Sequence, residues 1–139
     1  MTDKSLVQRK LTLLQNKKKE IEGYDISSLK DFRKKTYMQK AVEKMLQEMV
    51  EICVDVAKHI IADESLRIPD DAKDAFAVLH EKGILSLKCE KILQKMVGFR
   101  NLIVHLYERV DMEIVYGIYK NHLGDFDFFS KEILKFLRQ

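Results

Sequence analysis

The chain has 139 residues, 46% hydrophobic and 34% charged, with one Pro and five Gly. That composition describes one domain with a real core and a heavily charged surface, and it leaves little room for a turn-rich β fold. A net charge of +3 permits RNA binding without requiring it, and neither an apolar leader nor a run of membrane-span length is present. A cytoplasmic protein without membrane contact is the expectation.

Helical periodicity dominates from the start. Asp3 to Gly23 reads as a first helix, with Val7, Leu11, Leu14 and Ile21 as its partial apolar stripe. Ser27 or Ser28 caps a second helix that runs to about Asp63. Its main stripe is Val42, Leu46, Met49, Cys53, Val56 and Ile60, at alternating four- and three-residue steps. A second row on that helix (Ala41, Met45, Glu48, Ile52, Asp55, His59) is interrupted by polar groups. Asp55 and His59, four apart, meet on one face. They read either as a structural pair at the core edge or, with Glu48, as a candidate cleft wall.

Leu66 to Asp71 is a connector, with Asp70 placed to cap a short third helix from Asp71 to Lys82 that Gly83 closes. Ser86 opens a fourth helix, whose apolar row is Ile92, Met96, Phe99, Ile103, Leu106 and Val110. A fifth helix from Met112 to about His122 and a sixth from Phe126 to Leu137 follow, with Gly124 at the break and Asp125 as candidate cap. No repeat or second domain interrupts residues 1–139. The fold class is therefore all-α, a bundle of five to six helices.

The basic runs Lys17-Lys18-Lys19 and Arg33-Lys34-Lys35 read as solvated helix faces. Cys53 and Cys89 sit in apolar-periodic stretches and read as buried free thiols. The four histidines, His59, His80, His105 and His122, have no paired ligand spacing, so no metal or other cofactor is expected. No phosphate-cradling glycine loop supports an intrinsic kinase or nucleotidyltransferase activity.

The polar residues of the fourth helix carry the chemistry. Arg100-Asn101-Leu102-Ile103-Val104-His105-Leu106-Tyr107 places a guanidinium, an amide, an imidazole and a phenol among core-type neighbours. Burying them costs free energy unless each is satisfied, so the cluster is an internal network or a site. Arg100 offers a permanent cation for a phosphate, or pairs with a carboxylate such as Asp55 or Glu108. His105 is suited to general acid–base work near neutrality. Asn101, four residues before it, can orient the imidazole. Tyr107 is also explained as a core residue with its hydroxyl at the edge. Arg100 and His105 stand about 140° apart around an ideal helix. Either the helix distorts near His105, or Arg and His from two copies line one groove.

The Arg-x4-His-x-Tyr pattern, with Asn after the Arg, resembles the signature of HEPN-domain toxins of the HepT type. The stretch Val42 to Ile61 and the run Leu79 to Leu85 are similar to that family's helices, and the resemblance spans about Leu29 to Gly117. It implies a HEPN-type homodimer with both motifs in a shared cleft. It also implies an endoribonuclease toxin acting on tRNA or mRNA, with Arg100, His105 and Asn101 catalytic. The implied partner is an MNT-type minimal nucleotidyltransferase antitoxin that adenylylates Tyr107. An alternative of another class is a non-catalytic helical adaptor, in which the same Arg and His hold a nucleotide or serve a nucleotidyltransferase partner.

Overall fold

The computed structural model describes residues 1–105 and 110–139, with the backbone alone at residue 105. Those residues form seven helices and no strand: α1 (Lys4–Glu22), α2 (Leu29–Lys34), α3 (Thr36–Asp63), α4 (Ala72–Glu81), α5 (Leu87–His105), α6 (Met112–Asn121) and α7 (Gly124–Leu137). The 28-residue α3 is the spine. Its stripe Val42, Leu46, Met49, Cys53, Val56 and Ile60 is buried throughout, and α1, α4 and α5 pack around it. Buried Val7, Leu11, Leu14 and Ile21 are the face that α1 gives to this core.

Seven helices appear instead of five or six because the expected second helix is divided at Lys35, whose backbone leaves the helical region (φ −105°, ψ 79°). Neither Gly nor Pro marks the break. Side chains stabilise it instead. Gln39 Nε2 donates to the carbonyl of Arg33 (3.1 Å) and to that of Phe32 (2.9 Å), which also accepts from the Lys35 N–H at 3.2 Å. Lys35 Nζ donates to the Asp25 carbonyl at 2.8 Å and pairs with Asp31 at 3.0 Å. Ser28, not Ser27, caps α2 through the Asp31 N–H. Phe32 is fully buried and anchors the short helix beside Tyr116.

Two other caps move by a residue or more. Asp71, not Asp70, caps α4, accepting from the Asp74 N–H at 2.7 Å, while the Asp70 N–H donates to Asp74 Oδ2. Helix α7 begins at Gly124 with no side-chain cap, and Asp125 lies in its first turn, facing His122 at 3.4 Å. The connector before α4 is fastened by Arg67, which grips Asp74 through two nitrogens (2.7 and 2.8 Å) and reaches Glu81. This guanidinium holds the Asp74 carboxyl down at about 2.

The lysine run of α1 is not simply solvated. Lys17 pairs with Glu48 of α3 at 2.7 Å, and Lys18, only 12% exposed, bridges to Asp127 of α7 at 2.9 Å. Cys53 and Cys89 are free and fully buried, as expected. Burial pushes the Cys89 thiol up to about 12 and the Cys53 thiol well above its ordinary value. Among the described residues no helix is long and apolar enough to cross a membrane.

Gly83 follows α4 with φ +72°, and the N–H groups of Gly83 and Ile84 close back onto the His80 and Leu79 carbonyls, both at 2.9 Å. That reversal aims the chain into α5, and a side chain at 83 is disfavoured by the backbone itself. Gly117, inside α6, has open space around its Cα. Gly83→Ala is expected to cost about 1 kcal/mol, whereas Gly117→Ala is expected to gain about 0.5–1 kcal/mol, both read by denaturant unfolding.

Candidate active site

Helix α5 carries the polar motif out of the core. Leu93 and Val97 on its inner row are buried, and Val104, farther along the same row, is 44% exposed. Arg100 lies between them with its side chain 20% exposed, at the point where the row leaves the core. Its Nε is buried and has no hydrogen-bond partner among the described residues. Its Nη1 stands 3.9 Å from Glu51 Oε1, and that oxygen already accepts from Gln47 Nε2 at 3.1 Å. A separation of 3.9 Å is too long for a hydrogen bond, and Glu51 is 44% exposed, so the charge is steadied only weakly.

Among the described residues the carboxylate facing Arg100 is thus Glu51, not Asp55; Glu108, the other candidate from the sequence, lies outside them. Asp55 lies one turn farther along α3, where it pairs with Lys10 of α1 at 2.5 Å and His59 at 3.5 Å. Glu48 is likewise turned toward α1 through Lys17. The sequence does not say which flank of α3 meets α5, and that choice selects Glu51. The row Gln47, Glu51, Lys58 is as polar as the one containing Asp55, so pattern alone does not separate them.

Asn101 is half-buried about 100° around α5 from Arg100, in the row of Gln94 and Gly98. There α4 comes close. Gln94 Nε2 donates to the Lys73 carbonyl at 3.1 Å, and Lys73 Nζ lies 3.4 Å from where a Cβ on residue 98 would sit. Sequence reading passed over Lys73, although a glycine in mid-helix is a sign that something crosses nearby. His105 is the last residue of α5. Its side chain, with Leu106, Tyr107 and Glu108, lies outside the described residues. Arg100 and Asn101 thus share one helix with the backbone of residue 105, on different faces. Among the described residues no group of three His, Cys, Asp or Glu side chains is placed to hold a metal ion.

The chemistry on offer is a guanidinium that packing, rather than a close carboxylate, holds at the edge of the core. A phosphate oxygen would complete it. A family model described as ribonuclease HepT-like matches residues 14–133. The chain belongs to the ribonuclease HepT-like family. Among HepT-like relatives, the mRNA nuclease HepT of Shewanella oneidensis is 35% identical over 98 residues, which are 70% of this chain and 74% of that protein. The tRNA nuclease HepT of Aphanizomenon flos-aquae is 22% identical over 95% of this chain and 90% of its own. A solved structure of the tri-AMPylated Shewanella oneidensis HEPN toxin in complex with MNT antitoxin superposes with a TM-score of 0.86. It is 31% identical, with 97% of this chain and 99% of that one covered. The HEPN fold expected from the motif is therefore present.

A buried, unpaired Nε carries a desolvation cost that no described contact offsets. Arg100→Met keeps the length of the side chain and removes that cost. It is expected to leave unfolding free energy unchanged or to raise it by up to about 1 kcal/mol, in chemical denaturation. A loss of about 1–3 kcal/mol would instead mean that Arg100 belongs to a structural network.

Proposed function

We propose that this protein is a toxin of a toxin–antitoxin pair, a metal-independent endoribonuclease with Arg100 and His105 as its catalytic residues. The observation that carries this reading is Arg100: a cation held at the α3–α5 contact, whose buried Nε has no partner among the described residues and whose nearest described carboxylate, Glu51, stands off at 3.9 Å. Arg100 binds the scissile phosphate and stabilises the charge that builds on it in the transition state. His105 takes the proton from the ribose 2′-hydroxyl, whose oxygen attacks the adjacent phosphorus and expels the 5′-oxygen of the next nucleotide; that oxygen takes up a proton from water, and the imidazolium returns its own to solvent. The products end in a 2′,3′-cyclic phosphate and a 5′-hydroxyl. Asn101 orients the imidazole and fixes its tautomer.

The site is completed by a second copy of the chain. Arg100 and residue 105 are about 140° apart around one helix, so a single α5 does not aim both at one phosphorus. The exposure of Val104 (44%), one turn beyond Arg100 on the same row of α5, supports a homodimer that covers this stretch. RNA is the substrate, and the named relatives, one an mRNA nuclease and the other a tRNA nuclease, leave its class open.

Control passes through Tyr107. An MNT-type nucleotidyltransferase antitoxin transfers AMP from ATP to its phenolic oxygen, releasing pyrophosphate. A bulky anion two residues from His105 then competes for the guanidinium and obstructs the cleft. The AMPylated state of the Shewanella toxin supports this assignment.

The test is cleavage of total cellular RNA by purified protein in EDTA. Wild type is expected to release cyclic-phosphate ends, while His105→Ala, folded equally by circular dichroism, falls by at least about 100-fold. Purely linear phosphate ends, or an absolute need for a divalent metal, would falsify the mechanism. Co-expression with the antitoxin should add AMP mass to the wild type and none to Tyr107→Phe.

A further inference from the structure

We infer that Lys73, on the first turn of α4, is a substrate-positioning residue that binds a backbone phosphate flanking the scissile one. The inference rests on the nuclease reading above and adds to it the path of the strand. Gly98 has no side chain, and Lys73 Nζ occupies the space over it, 3.4 Å from where a Cβ would be. Around α5, residues 98, 101 and 105 fall within about 60° of one another, whereas Arg100 stands about 160° from residue 98. The ammonium therefore lies on the face of α5 that carries Asn101 and position 105, about 10 Å along the axis from the latter. That distance is too great for both groups to touch one phosphorus. It suits a phosphate about one to three nucleotides away, depending on how extended the strand is.

Lys73 also has no carboxylate partner among the described residues. Asp74 and Glu81 pair with Arg67, Glu90 pairs with Lys91, and Asp71 is turned to the Asp74 N–H as the cap of α4. No described carboxylate pairs with Lys73 or with Lys95, which is exposed one turn before Gly98 on the same side of α5. The contrast with Lys10, Lys17 and Lys18, each paired with a carboxylate of another helix, is direct. Lys73 is also firmly placed. Its carbonyl accepts from Gln94, and the Arg67 clamp on Asp74 holds the first turn of α4. Both anchors are independent of the lysine side chain, so truncating it leaves the helix where it is.

The experiment has a kinetic arm and a binding arm. In the wild-type background, Lys73→Ala is expected to raise KM for a long RNA by about three- to tenfold with kcat within about twofold, and Lys73→Arg to restore it. In the His105→Ala background, which spares the probe, anisotropy of a fluorescein-labelled single-stranded RNA is followed against KCl. Lys73→Ala should weaken binding about three- to tenfold and lower the slope of log Kd against log salt by about one. An unchanged Kd and slope would overturn the inference, as would a fall in kcat at constant KM. If the wild type cleaves nothing, the nuclease reading fails by itself, and the salt slope still decides whether Lys73 binds a phosphate.

Discussion

The structure depends on how α3 is buried. Eleven of its residues are buried, from Val42 to Ile61, a stripe too wide for one neighbour to cover. Helices α1, α4 and α5 must all pack on it, and their positions follow from that need. The polar margins of α3 then meet whatever each neighbour presents. Toward α1, Glu48 and Asp55 find Lys17 and Lys10 at 2.7 and 2.5 Å. Toward α5, Glu51 finds Arg100 at 3.9 Å. The close pairs fasten the scaffold, and the long one leaves a cation available.

This difference separates the part of the molecule that is built for stability from the part that is not. Arg100 is supported by packing from α3 and α5, yet its Nε lacks a partner among the described residues, an arrangement that costs free energy in the folded protein. Groups left in that condition at the edge of a core are typical of sites that a ligand completes. The long-range order needed to hold one guanidinium there comes from ordinary devices: the reversal at Gly83, the Ser86 hydroxyl accepting from the Cys89 N–H at 3.2 Å, and the Gln94 tie to α4.

Much of the fold was legible because period-3.6 patterning is clear in α1 and α3. The buried rows Val7 to Ile21 and Val42 to Ile60 are the ones that spacing identifies. The break at Lys35 was not legible, since it is stabilised by Gln39 reaching back to two carbonyls rather than by Gly or Pro. The caps at Asp71 and Leu123 differ from Asp70 and Asp125 because adjacent acidic residues, or none at all, serve equally well in a pattern. Within the site, the motif residues were visible as polar groups in an apolar helix, and the family they indicated is the one to which the chain belongs. Glu51 and Lys73 were invisible for a common reason: their roles arise from which helix flanks meet, and one chain's periodicity does not encode that choice.

The central claim is that one functional centre takes Arg100 from one copy and His105 from another. Mixing Arg100→Ala with His105→Ala, each inactive alone, after shared unfolding and refolding tests it most directly. Random pairing makes half of the dimers mixed, each with one intact centre, so RNA cleavage should return to about a quarter of the wild-type rate. A mixture no more active than either parent would contradict the account, because the two residues would then have to act within a single chain.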